Sequence, residues 1–236
     1  MAIFLGINID HIATVRQARG VDYPSLIDAV KIIENAGADG ITLHLREDRR
    51  HIQDRDVIEL KETITTKMNL EMAVTAEMIK IASEIKPADV CIVPEKREEL
   101  TTEGGLDVVG NMKKITELCS EMTSNNIITS LFIASDFKQI EAAKECGASV
   151  VEIHTGHFAN NLESLESVKK GVEFAKSIGL VVNAGHGLTL ENTTAIAALP
   201  EINELNIGHS IIARSIFVGL EKAVIEMKEL ILKARS

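Results

Sequence analysis

Asn8 and Asp10, His44 and Arg46, Glu71, Glu152, His154, His186 and His209 all stand at or near the end of a short apolar run. In "ITLHLREDRRH", Ile41, Leu43 and Leu45 alternate with Thr42, His44 and Arg46, so an extended chain puts His44 and Arg46 on one face. Glu71 in "MNLEMA" and Glu152 in "SVVEIH" interrupt apolar strands, where an unpartnered carboxylate is costly. Both read as functional groups in preference to ion pairs that only hold a core together. Carboxylates and imidazoles held at different pKa values do general acid–base chemistry, one donating while another accepts. A lone strand-end His or Asp is more often a cap, so the gathering carries the reading and no single residue does.

The glycine-flanked tips "NAGHGL", with His186 and Gly187, and "IGHS", with Gly208 and His209, each run into a helical pattern. Glycine lets a ligand approach backbone N–H groups, and the helix that follows offers more donors and a positive dipole end. The pair points to a phosphorylated substrate. A second anion would need its own cations, and Arg19 in "RQARG", Arg46 and His51 are candidates. The run "REDRR" otherwise reads as a solvated helix start, with Glu47 and Asp48 near its positive end.

These residues require a frame of alternating strands and helices. Strands are expected at 3–8, 40–45, 68–73, 89–93, 127–133, 149–154, 180–183 and 204–207. Between them lie amphipathic stretches such as "PSLIDAVKIIENAG", where Pro24 suits a first helical turn and Gly37 a stop. "DFKQIEAAKECGA" opens on the spacing of a capping box, Asp136 to Gln139. The joints "NAGADGITLHL", "ECGASVVEIHTG" and "SIGLVVNAGHG" repeat one βα grammar. The pattern predicts an α/β fold, a parallel eight-stranded (β/α)8 TIM barrel as one domain over 1–236, with an open doubly wound sheet as runner-up. Strand ends then become active-site positions, and the loops after strands 7 and 8 the usual phosphate site. The polar stretch 95–111 after strand 4 reads equally as a lid loop or as a plain surface excursion.

Composition excludes other classes. A net charge of −10 argues against nucleic acid, which needs a basic surface. No apolar run approaches the length of a membrane span, and "MAIFLGINID" lacks the basic start of a signal peptide. Cys91, Cys119 and Cys146 are isolated and read as reduced thiols of a soluble cytoplasmic protein.

The stretches "LGINIDHIATVRQARG", "ITLHLREDRRHI", "NLEMA", "VEIHTGHFA", "VNAGHGL" and "IGHSIIARSIF" resemble the pyridoxine 5′-phosphate synthase family over nearly the whole chain. The resemblance implies condensation of 3-amino-2-oxopropyl phosphate with 1-deoxy-D-xylulose 5-phosphate, giving pyridoxine 5′-phosphate, inorganic phosphate and water. It implies His44 and Glu71 as proton acceptors, His186 as proton donor and Glu152 as a transition-state stabiliser. It assigns Asn8, Arg19, Gly187, Gly208 and His209 to the amino ketone phosphate. Asp10, His11, Arg46, His51 and Thr101 fall to the sugar phosphate, with the 95–111 loop closing over both. It further implies no cofactor, no metal and a homo-octamer.

Three other readings are weighed. Asp10, His44, Glu71 and His186 could converge on a divalent ion in a metal-dependent sugar-phosphate epimerase or aldolase. A Schiff-base aldolase lacks an inward strand-end lysine, since Lys96 lies in the 95–111 loop. A non-catalytic phospho-ligand sensor would gain nothing from the inward carboxylates Glu71 and Glu152.

Overall fold

A computed structural model describes residues 3–95, 104–161 and 163–236. Eight strands close into an all-parallel barrel: β1 (Phe4–Asn8), β2 (Gly40–His44), β3 (Lys67–Met72), β4 (Asp89–Ile92), β5 (Ile128–Ile133), β6 (Val150–His154), β7 (Val181–Gly185) and β8 (Ile202–Ile207). β8 pairs with β1, so no edge is left open. The expected (β/α)8 barrel is present and the open sheet is not; each expected strand is found, with its ends shifted by at most two residues.

Successive side chains on a strand point to opposite faces. Ile41, Leu43, Leu70, Ile92, Leu131, Ile153 and Leu205 are fully buried in the main apolar core, which lies between the strands and the surrounding helices. Their neighbours turn inward and are polar. Thr42 Oγ1 donates to Asn206 Oδ1 at 3.0 Å, Asn69 Nδ2 donates to Thr42 Oγ1 at 3.2 Å, and Asn206 Nδ2 donates to Glu152 Oε2 at 2.7 Å. At the N-terminal mouth Lys67 bridges Asp89 at 2.6 Å and Glu204 at 2.8 Å. Gly6 belongs to this interior: a Cβ there would sit 2.1 Å from Asn206 Oδ1.

The helices are α1 (Asp10–Gln17), α2 (Leu26–Asn35), α3 (Asp54–Thr63), α4 (Ala76–Ile85), α5 (Val108–Ser124), α6 (Phe137–Glu145), α7 (Gly156–Ala159), α8 (Leu165–Ser177), α9 (Thr193–Ala197), α10 (His209–Val218) and α11 (Leu220–Ala234). Three local expectations are corrected. Pro24 precedes the first turn of α2, because Ser25 takes the N-cap and accepts from Asp28 N; Gly37 does end that helix, at φ +97°. Asp136 caps α6, but Gln139 does not complete the box: its Oε1 accepts from Val108 N at 2.7 Å and so caps α5. Arg46 to Arg50 form turns and not a helix start, since Asp48 takes up the Arg50 main-chain N–H and both guanidinium groups, and α3 begins only at Asp54. The segment 96–103, within the expected lid, lies outside the described residues.

Candidate active site

Parallel strands that end together deliver their last inward side chains to one rim. Register makes this concrete: His44 of β2 is level with Glu71 of β3, and Phe132 of β5 with Glu152 of β6. Above them opens a cavity of about 600 Å³. It is lined by Asn8, Asp10, His11, His44, Arg46, His51, Glu71, Glu152, His186, Gly187, Gly208 and His209, so every expected site residue but two reaches it. Arg19 is exposed beyond the end of α1 and does not line the cavity; Thr101 lies outside the described residues.

One wall is a carboxylate–imidazole cluster. Asp10 Oδ1 accepts from the His44 main-chain N–H at 2.8 Å, and Asp10 Oδ2 accepts from Asn8 Nδ2 at 2.9 Å. Glu71 Oε2 lies 3.4 Å from Asn8 Nδ2 and 3.9 Å from His44 Nδ1. Burial, then the charges of Asp10 and Glu152, raise the Glu71 pKa well above the carboxylate range. A carboxylate whose pKa is raised is a stronger base than an ordinary one. Asp10, His44 and Glu71 also bring one ligand-type atom each within 4.8 Å of one another, three members of the metal-centred alternative. Each Asp10 oxygen already accepts one hydrogen bond and Glu71 Oε2 one long contact, which leaves further lone pairs on both carboxylates.

The opposite wall is aromatic. His186 sits at φ +79° between Gly185, the last residue of β7, and Gly187, and it lines the cavity. Its ring lies 5.0 Å from that of His154, and His154 meets Phe132 edge-on at 5.1 Å. Gly156 makes room, because a Cβ there would come within 2.8 Å of both imidazoles. Burial, then the neighbouring His186 and His157, lower the His154 pKa to about 4, so His154 is neutral behind the lining. Nearby, the His11 ring meets His209 at 4.7 Å. Burial, then His209, lower the His11 pKa, and burial lowers that of His51.

Gly208 caps α10 directly beside Asn8, with room for no side chain: a Cβ would stand 2.8 Å from Asn8 Cβ. Gly208, His209 and Ser210, at the start of α10, line the cavity, and a helix start supplies the N–H donors that an anion site needs. Arg46 is buried and donates to Asp48 Oδ1 at 3.2 Å, on the cavity side of the β2 loop.

Glu152 is held deep in the barrel, with Asn206 donating to it. Burial raises its pKa to about 7, the Asn206 hydrogen bond opposing. A raised carboxyl pKa means that the fold favours the protonated form. Its stabilising effect is full below the unfolded value of about 4.5 and is lost as pH rises through about 7. The Glu152→Gln variant should therefore gain stability over wild type between pH 5 and pH 8, by roughly 3 kcal/mol at the upper end. Urea denaturation at the two pH values measures this; equal gains at both would contradict it.

Sequence reasoning missed several lining or supporting residues. Asn206 lay unremarked within an expected strand, and its inward phase with Glu204 was the available signal. Phe132, Arg50 and Ser210 line the cavity, and Glu95 pairs with His44 across 2.7 Å. Nothing local marked these four.

Known proteins match this chain along nearly its whole length. The family model for "Pyridoxal phosphate biosynthesis protein PdxJ" matches residues 5–233. Pyridoxine 5′-phosphate synthase of Pseudoalteromonas translucida is 59% identical, covering 99% of each chain. The enzymes of that name from Aliivibrio fischeri and Coxiella burnetii are 58% and 57% identical, covering 99% and 98% of this chain and 99% of their own. Among solved structures, KGPDC from Streptococcus mutans superposes with a TM-score of 0.70 at 11% identity, covering 100% of each chain. Thiamine phosphate pyrophosphorylase from Pyrococcus furiosus gives 0.65 at 13%, covering 99% of this chain and 97% of its own. At such identities the structures share the barrel and nothing finer. The family match and the full-length identities place the chain in one group: it belongs to the pyridoxal phosphate biosynthesis protein PdxJ family.

Proposed function

We propose that this cavity condenses 3-amino-2-oxopropyl phosphate with 1-deoxy-D-xylulose 5-phosphate to pyridoxine 5′-phosphate, inorganic phosphate and water. The observation that carries the reading is the gathering of His44, Glu71, Glu152 and His186 around one cavity that is also lined by Arg46 and by the Gly208–His209 start of α10. Joining an amine to a ketone, expelling water and phosphate, and closing an aromatic ring demand several proton transfers. Groups whose environments push their pKa values apart can share those transfers. His44 and Glu71 accept protons, His186 on the opposite wall donates one, and Glu152 stabilises charge from below. The sequence needs no net redox step and no external electron sink.

Asn8, Gly187, Gly208 and His209 form the cradle for the amino ketone phosphate. Asp10, His11, Arg46 and His51 form the wall for the sugar phosphate. Arg19 and Thr101 join these two sets on the resemblance alone. Exclusion of water would protect imine intermediates, which is the work expected of the loop over 95–111.

A cytoplasmic enzyme fits the three free, buried cysteines, and among the described residues no helix is long and apolar enough to cross a membrane. A homo-octamer fits the apolar side chains left outside, Val15 and Tyr23 near α1, and Ile216 and Phe217, 77% and 84% exposed, on α10.

Product formation from the two purified phosphates tests the reading. Pyridine-ring absorbance should grow only when both are present, and growth from either one alone would refute it. Arg46→Ala should weaken binding of the sugar phosphate about 10- to 100-fold, the loss of a hydrogen bond to a charged group being worth about 1.5–3 kcal/mol. Isothermal titration showing unchanged affinity would remove Arg46 from the anion site.

A further inference from the structure

His44 has two ring nitrogens, and a base needs one of them bare. Glu95, just past β4, approaches His44 Nε2 with Oε1 at 2.7 Å, and both side chains are about 5% exposed. The Glu47 main-chain N–H donates to the other oxygen of Glu95 at 3.1 Å and fixes the carboxylate plane. Burial pushes the Glu95 pKa up, but the hydrogen bond and charge of His44, then the Glu47 N–H and Arg46, bring it below the ordinary range. Glu95 is therefore ionised and accepts only, so the proton between the two residues sits on Nε2. In the neutral ring Nδ1 then carries the lone pair.

The other groups around the ring agree. Nδ1 faces Glu71 Oε2 across 3.9 Å, too far for a hydrogen bond, and both atoms belong to cavity-lining residues. Asp10 is engaged with the main-chain N–H of His44, and the His51 ring is 6.1 Å away. Glu95 is thus the close acid at Nε2 among the described residues.

We propose that Glu95 is a positioning residue for proton transfer, holding His44 in the Nε2–H tautomer so that Nδ1 is the base beside Glu71. The arrangement follows a general rule for catalytic imidazoles, in which a carboxylate on one nitrogen sets the tautomer and stabilises the imidazolium formed when the other takes a proton. This rests on the synthase reading for the identity of the reaction, though not for the tautomer.

Solid-state NMR of the full-length protein carrying 15N-histidine, with the His44 signals identified by their loss in His44→Gln, reads the tautomer directly. Wild type should show protonated Nε2 and bare Nδ1 at His44. Glu95→Ala should lose that preference and lower kcat about 10- to 100-fold, as removal of an orienting partner does elsewhere, with KM for both substrates unchanged. Glu95→Gln retains an acceptor oxygen without the charge. It should keep the tautomer and show an intermediate kcat, which also serves if the alanine variant folds poorly. Persistence of the Nε2–H signal in Glu95→Ala overturns the proposal, as does a rise in KM with kcat retained. If wild type forms no pyridine ring, the synthase reading fails while the NMR result still decides the role of Glu95 in the tautomer.

Discussion

Glu71→Gln should reduce kcat by about 10²- to 10⁴-fold, the usual worth of a positioned general base, and leave binding of both phosphates unchanged. The amide keeps the shape of the carboxylate and removes only the ability to take a proton. Glu71 is placed for this by register, level with His44 and within 3.9 Å of its Nδ1. Its environment is placed for it too. Burial and two further carboxylates, Asp10 and Glu152, resist ionisation and raise the pKa, which makes the carboxylate a stronger base. The proposed phosphate positions, at the α10 start and along the Arg46 wall, do not include Glu71, so affinity is expected to stay unchanged. Steady-state kinetics beside isothermal titration separates these effects. Unchanged kcat would remove Glu71 from the chemistry, and lost affinity would make it a binding group.

The second large effect concerns stability. Arg16→Met should destabilise the fold by about 3–5 kcal/mol, because it strands a buried carboxylate. Arg16 grips Asp56 with two bonds, 2.7 and 2.6 Å, and both side chains are about 5% exposed. Arg16 also donates to the His51 carbonyl at 3.2 Å, and Asp56 accepts from Gln53 N at 2.8 Å. The pair therefore ties α1 to the turn that carries His51 and to the start of α3. The double variant Arg16→Met with Asp56→Leu should recover most of the loss, since an apolar pair of similar volume leaves no charge unmatched. Urea denaturation compares the three proteins. A single variant as stable as wild type would show that the pair is solvated and only decorative.

How much of this was legible beforehand depends on the range of the interactions. The barrel was readable because alternation and helix stops are local: Gly37, Asp136 and the βα joints each signal within a few residues. The site was readable because strand ends converge in this fold, so His44, Glu71, Glu152 and His186 needed only their positions along the strands. What escaped were pairings set by distant segments. Gln139 matched a capping box in sequence, yet its amide serves the start of α5 instead. Arg16 and Arg19 stand three residues apart on or just past one helix, and only the approach of Asp56, 40 residues on, decides that Arg16 turns inward. Glu95 and Asn206 show the same limit, since each takes its role from a partner on another strand.

The central claim is acid–base ring closure by side chains of the barrel. It is tested most directly with protein stripped by a chelator and mixed with both phosphates, following inorganic phosphate and pyridine absorbance together. The account predicts that phosphate and ring appear in step at the untreated rate. Activity that returns only when a divalent ion is restored, or a sugar phosphate merely isomerised or cleaved, would contradict it and turn Asp10, His44 and Glu71 into candidate ligands.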